Sequence, residues 1–178
     1  AIYNGVKHIR KTGDDIVSVF PSDHLINDEQ GFCDTVMKGL PLADKYIVTF
    51  GIVPTSPETG YGYIQPGRSE GEGFSVKSFR EKPEHKVAEQ YVKEGYFWNA
   101  GMFMFRTDLF DEEIKKYSPE VYDAFQYEDS DECFKKSPSI SIDYGVMEHS
   151  DKVAVVPMKN DWSDLGSYAS IYEAYDDI

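Results

Sequence analysis

Asp23 and Asp164 lie far apart in the chain but have the same kind of neighbourhood. Asp23 follows the apolar run Ile16 to Phe20, in Pro21-Ser22-Asp23-His24. Asp164 follows the apolar run Val153 to Met158 after a short loop, in Trp162-Ser163-Asp164-Leu165-Gly166. In an open parallel sheet, ligands bind beyond the carboxyl ends of the strands, where both aspartates are expected to fall. Mg²⁺ favours one or two carboxylates together with substrate phosphates, so the pair suits one shared Mg²⁺. Each aspartate also has a plainer reading, as a turn residue or N-cap of the helix that follows it.

Three further stretches carry polar groups where a ligand can use them. Glu81-Lys82-Pro83 closes a strand-like segment, with Lys82 a point charge for a phosphate and Glu81 an acceptor for hydroxyl groups. Asn99 interrupts the apolar run Phe97 to Phe105, and a buried amide there must bond to backbone or to a ligand. Gly62, in Thr59-Gly60-Tyr61-Gly62-Tyr63, suits a turn with positive φ and leaves room against the main chain. An ordinary strand exit and an ordinary turn are the bland alternatives for the first and the last. Asp143, in the first turn of an expected helix, reads as structural. His24 is placed to orient Asp23 by a hydrogen bond. No GxSxG elbow accompanies the histidines, which excludes that hydrolase pattern.

The elements that must position these groups follow from periodicity. Ile16 to Phe20 and Tyr46 to Val53 read as buried strands, with Phe32, Val36, Met37 and Leu40 at helical spacing between them. That strand–helix–strand unit suits a parallel sheet. Further strands are expected at Tyr61 to Gln65, Gly73 to Glu81, Trp98 to Phe105 and Val153 to Met158. Helices are expected at the N-terminus, around Val87 to Val92, and at the C-terminal end, where Tyr168, Ile171, Tyr172 and Tyr175 share a face. Gly67 to Gly73 reads as a solvated hairpin loop. Asp108 to Lys136 reads as an acidic, helical excursion peripheral to the sheet.

Composition narrows the function classes. A hydrophobic share of 40% with 15% aromatics excludes a disordered chain, and 178 residues suffice for one domain with a real core. A net charge of −14 argues against nucleic acid as a partner. No apolar run approaches the ~20 residues of a membrane helix, so no membrane partner is expected. Cys33 and Cys133 have no CxxC spacing and read as inert thiols in a reducing cytoplasm.

Taken in order, PSDH (Pro21 to His24), TFGIVPTSPETGYGYI (Thr49 to Ile64), FREKP (Phe79 to Pro83), WNAGMFMF (Trp98 to Phe105), SIDYGVMEHSDKV (Ser141 to Val153) and WSDLGS (Trp162 to Ser167) resemble the motifs of mannose-1-phosphate guanylyltransferases. The resemblance covers most of the chain. It implies an α/β, Rossmann-like nucleotidyltransferase fold of the glycosyltransferase-A type, with a mixed, mostly parallel sheet flanked by helices. It implies GMP transfer from GTP to mannose 1-phosphate in the full-length enzyme, with release of pyrophosphate. By the same resemblance Asp23 and Asp164 would hold Mg²⁺, Lys82 would be catalytic and contact the phosphate of mannose 1-phosphate, and Gly62, Glu81 and Asn99 would contact the sugar.

One departure is large. The family's Gly-rich GGxGxRL segment, which binds the nucleotide, does not occur in this sequence. Residues 1–178 are therefore expected to be one nucleotidyltransferase domain fragment, holding the sugar-phosphate and metal part and inactive alone. Exposed sheet left by the missing part would favour a homo-oligomer. Two other readings stand beside this one: a non-catalytic module for sugar phosphate or a sister subunit, and a nucleotidyltransferase for another hexose 1-phosphate.

Overall fold

The computed structural model describes all residues except 12–14, 128, 160–161, 169 and 173–178. Chain order begins with helix α1 (Ile2–Ile9), strand β1 (Ile16–Val19), the short strand β2 (Leu25–Ile26), helix α2 (Glu29–Gly39) and strand β3 (Ile47–Ile52). A long hairpin, β4 (Tyr63–Glu70) and β5 (Gly73–Arg80), leads to helix α3 (His85–Lys93) and strand β6 (Phe97–Arg106). Helices α4 (Thr107–Tyr117), α5 (Pro119–Ala124) and α6 (Ser130–Lys136) precede a π-helical turn at Asp143–Met147. Strand β7 (Val153–Met158) and the short strand β8 (Trp162–Ser163) complete the described elements.

The main sheet has the order β1-β6-β3-β7-β5-β4. It is mixed and flanked by helices, as expected, but it is not mostly parallel. Among the described residues, only β3 and β7 pair in parallel, with Ile47 opposite Val153 and Ile52 opposite Met158. The other pairings of this sheet are antiparallel. The correction has a clear cause. Strands β1 and β3 run in the same direction, as a strand–helix–strand unit demands, but β6 lies between them and runs against both. Nothing in the spacing of β1, α2 and β3 announces a strand that arrives from so far along the chain.

Both faces of the sheet are covered, which explains the near-continuous apolar runs. On one face Val17, Ile47, Phe103, Phe105 and Val155 pack with Tyr3 and Val6 of α1, Phe110 and Ile114 of α4, and Phe125. On the other, Val48, Phe50, Met102, Met104 and Val156 pack with Leu42, Ala43 and Ala88. The acidic segment 108–136 therefore does more than decorate the edge: its apolar stripe seals one face. Tyr3 locks α1 to α4 by donating its hydroxyl to Asp111 Oδ1 at 2.6 Å, and Arg10 adds an ion pair to the same carboxylate.

Local details sharpen these expectations. Gly67 to Gly73 is not a loop, because β4 runs to Glu70 and the turn occupies only residues 71–72. Cys133 is buried and Cys33 exposed. On α2, Met37 and Leu40 point to solvent, while Thr35 and Gly39 are the buried positions. Tyr168 and Tyr172 are exposed, and Tyr175 lies outside the described residues. Among the described residues, no helix is long and apolar enough to cross a membrane.

Candidate functional site

The two aspartates are brought together by a ribbon too short to read from sequence. Strand β2 pairs with β8, Leu25 opposite Ser163 and Ile26 opposite Trp162. His24 and Asp164 follow directly on the two ends of this pairing, and both Asp23 and Asp164 lie close enough to bear on the His24 imidazole. The capping alternatives fall away. Helix α2 is capped by Asp28, whose Oδ1 accepts from Gly31 N at 2.9 Å. After Asp164, Ser167 plays that part, its Oγ accepting from Ser170 N at 3.1 Å.

Asp164 is held in one orientation. Its Oδ1 accepts from the Tyr61 hydroxyl and from Gly166 N, each at 3.0 Å. Both of these bonds fall on the same oxygen, and among the described residues Oδ2 has no such donor. Leu165, the next residue, has φ +49°, an uncommon conformation for a side chain of this kind. No group of three or more His, Cys, Asp or Glu assembles as a metal cage among the described residues. Two carboxylates, one pre-oriented and one exposed, nevertheless fit Mg²⁺, whose remaining ligands are water and substrate phosphate oxygens.

His24 does not orient Asp23 as expected. Its Nδ1 accepts from the Trp162 indole N–H at 3.1 Å, which places the imidazole proton on Nε2. Burial lowers its pKa, against the opposing pull of Asp23 and Asp164. Tyr61 ties this half of the site to the other half. Its ring stands edge-on to Trp98 and Trp162 at 5.1 and 5.4 Å, and its carbonyl accepts from Lys82 N. Burial, with Asp164 next, raises the pKa of the Tyr61 hydroxyl, so it stays a donor.

The second half is built where β4, β5 and β6 meet. Asn99 N donates to Gly62 O at 2.8 Å, which sets the two side by side. Neither Gly60 nor Gly62 is a positive-φ glycine; that property belongs to Gly101, at +67°. The reason for Gly62 is a close approach: a Cβ there would sit 2.5 Å from Glu81 Oε2. The room inferred beside Gly62 is thus filled by the protein's own carboxylate. Gly101 lies in a bulge of β6, where the register against β3 shifts between Thr49 and Gly51. The Asn99 side chain fills that bulge, its Oδ1 accepting from Thr49 Oγ1 at 2.9 Å and Gly101 N at 3.2 Å. Asn99 Nδ2 donates to Asp143 Oδ1 at 3.0 Å.

Lys82 leaves β5 with φ +46°, and its Nζ stands 3.5 Å from Glu81 Oε1 with more than half of the side chain exposed. Glu81 is mostly buried, and burial is the largest cause of its raised pKa, with Asp143 adding repulsion and Lys82 opposing both. The structure therefore gathers Gly62, Glu81, Lys82 and Asn99 into one cluster, joined through Tyr61 to Asp164 and the ribbon carrying Asp23. Sequence reasoning passed over Tyr61 and Thr49 and read Asp143 as structural. The TGYG turn was in view, but the partner of its tyrosine lies about a hundred residues away.

The mixed, helix-flanked sheet is that of a nucleotidyl transferase. The family model described as "Nucleotidyl transferase" matches residues 1–178, and the chain belongs to that family. It is 43% identical over 179 residues to the mannose-1-phosphate guanylyltransferase of Escherichia coli, covering 90% of this chain and 37% of that protein. A Thermus thermophilus crystal structure titled "mannose-1-phosphate geranyltransferase" superposes with a TM-score of 0.93 at 32% identity, covering 98% of this chain and 53% of that one. A UDP-glucose pyrophosphorylase complexed with UDP-glucose shares the fold at a TM-score of 0.61 and 16% identity, covering 97% of this chain and 59% of that one. The chain thus spans well under two thirds of the length of the curated relatives it matches.

Proposed function

We propose that the full-length protein transfers GMP from GTP to mannose 1-phosphate, giving GDP-mannose and pyrophosphate. Residues 1–178 would act as one nucleotidyltransferase domain that supplies the sugar-phosphate and cation groups, in the cytoplasm. The observation that carries this reading is the link through Tyr61: one residue touches both the carboxylate of Asp164 and the strand exit that bears Lys82.

In this transfer an oxygen of the sugar phosphate attacks the α-phosphorus of GTP, so the protein's task is placement and charge neutralisation. Asp23 and Asp164 would hold Mg²⁺, which would supply positive charge to offset that of the phosphates. Lys82, on a strained and exposed strand exit, reaches the phosphate of the sugar. Glu81, whose carboxylate fills the space beside Gly62, accepts from sugar hydroxyls. The second amide hydrogen of Asn99 is left over from its bond to Asp143 and donates to a ring substituent. Tyr61 and Gly166 keep Asp164 aimed.

The test is pyrophosphate release by the full-length protein with GTP and Mg²⁺. Release that requires mannose 1-phosphate, and is at least about tenfold slower with glucose 1-phosphate or UTP, supports the reading. Equal rates with all hexose phosphates would overturn the substrate assignment. Since no Gly-rich phosphate loop occurs in residues 1–178, these residues alone should release none.

A further inference from the structure

The segment Asp143–Glu148 touches the sugar cluster at both of its ends. At one end, Asp143 Oδ1 accepts from Asn99 Nδ2 at 3.0 Å. At the other, Glu148 Oε1 accepts from the backbone N–H of Glu81 at 2.9 Å. Between them the chain makes a π-helical turn, closed by Glu148 N donating to Asp143 O at 3.0 Å. The wider turn is tied down from the start of α5, where Ser118 Oγ donates to Gly145 O at 2.7 Å. A π-helical turn is rare, and this one is held by contacts at both ends and at Gly145.

Thr49 and Gly101 fix which way the Asn99 amide faces, and Asp143 is the acceptor that meets it. The Asn99 oxygen already accepts from Thr49 and from the Gly101 N–H, so its NH₂ must face Asp143. Asp143 and Glu81 are neighbouring carboxylates in a partly buried cluster, and Lys82 is the cation that faces both. Two carboxylates with one exposed lysine leave an excess of acceptors. A ligand that brings several hydroxyl donors relieves that excess.

We propose that Asp143 is a positioning residue of the sugar site, holding the Asn99 amide and standing against Glu81 so that the pocket selects a ligand rich in hydroxyl donors. This rests on the reading of the cluster as the sugar-phosphate site. The groups that bear on Asp143 are Lys82 from the end of β5, Asn99 from β6, and Ser141 on its own segment, and Glu81 in turn faces Asp143, Lys82 and Glu148. Burial raises the pKa of both Asp143 and Glu81 in the free protein. Hydroxyl donors favour the charged carboxylates, so affinity should rise with pH as the two ionise.

The experiment is calorimetric titration of the full-length protein with mannose 1-phosphate across about pH 4 to 8, a window that extends above the ordinary carboxyl range. Asp143→Ala is expected to weaken binding at least about tenfold. Asp143→Asn keeps an oxygen for Asn99 Nδ2 but removes the charge beside Glu81, so the acidic fall-off in affinity should move to lower pH. Titration of the ligand's phosphate is common to both proteins and cancels in the comparison. A merely structural role would change melting temperature while leaving that midpoint in place. Unshifted pH dependence in Asp143→Asn, with Asp143→Ala binding within about twofold of the unsubstituted protein, would overturn the inference alone. Failure of the unsubstituted protein to bind mannose 1-phosphate would overturn the sugar-site reading and this inference with it.

Discussion

Gly62 and Glu81 occupy one space: a Cβ at position 62 would stand 2.5 Å from Glu81 Oε2 and 3.3 Å from the Asn99 Cβ. The backbone of the β4 entry therefore forms one wall for the carboxylate at the end of β5. Gly62→Ala must push Glu81 out of place, because the far end of a side chain yields more readily than a strand held by the Asn99 N to Gly62 O bond. The expected result is a stability loss of only about 1 kcal/mol, the scale of mild overpacking, with a roughly tenfold or greater loss of affinity for mannose 1-phosphate. Thermal unfolding and calorimetry on one preparation check the two halves. A large stability loss with unchanged affinity would show that Glu81 has no part in binding.

Glu81 also predicts a trade of stability against function. Its folded pKa is raised by burial and by Asp143, outweighing Lys82. A carboxyl with a raised folded pKa favours the folded state most below its unfolded pKa near 4.5, and that contribution fades as pH rises through the folded value. Glu81→Gln removes the charge and keeps the shape. The variant should be more stable than the parent at about pH 7, and the gap should close near about pH 4. Its mannose 1-phosphate binding should nonetheless fall. Denaturant midpoints at about pH 4, 5.5 and 7 measure this, and a variant less stable at neutral pH would contradict it.

The carboxylate pair makes the third prediction. In the full-length protein, Asp23→Asn and Asp164→Asn should each lower kcat at least ~100-fold, the scale for removing a preorganised electrostatic element. Tyr61→Phe removes one of two bonds to Asp164 Oδ1 and leaves the carboxylate in place. Its kcat loss should be closer to about tenfold at low Mg²⁺ and should shrink as Mg²⁺ is raised. Mn²⁺ binding followed by electron paramagnetic resonance gives a readout apart from turnover. Near-normal turnover by either Asn variant at low Mg²⁺ would return its carboxylate to a structural role.

The sequence made the alternating elements legible because β3, β6 and β7 are buried on both faces and read as apolar runs. Their order in the sheet was not legible, since pairing β6 between β1 and β3 is a long-range choice that leaves no mark on local periodicity. The site shows the same division. Asp23, Glu81, Lys82 and Asn99 could be picked out because each breaks or ends an apolar run. Tyr61 and Thr49 could not, since a tyrosine in a turn and a threonine in a strand are ordinary until Asp164 and Asn99 are placed beside them. For Gly62 the reason for a glycine changes. Its lack of a side chain answers a neighbouring carboxylate rather than a positive φ.

Lys82 provides the sharpest separation of sugar from phosphate. Its Nζ is 3.5 Å from Glu81 Oε1, yet most of the side chain is in solvent, so this ion pair contributes little to stability. The backbone at φ +46° is strained for alanine as for lysine, so Lys82→Ala should leave the fold intact with little change in melting temperature. A phosphate at the site would take Lys82 as its cationic partner, whereas a neutral sugar would feel the change only through Glu81. Lys82→Ala should therefore weaken mannose 1-phosphate by ~1.5–3 kcal/mol, the range for a hydrogen bond to a charged group, and free mannose by much less. Lys82→Arg keeps the charge and should recover only part of the affinity, because its planar fork cannot place a single proton donor as lysine does. Calorimetry with both ligands in the full-length protein decides. Equal losses for mannose and mannose 1-phosphate would mean that Lys82 acts on the sugar through Glu81 and that the phosphate is held by another group.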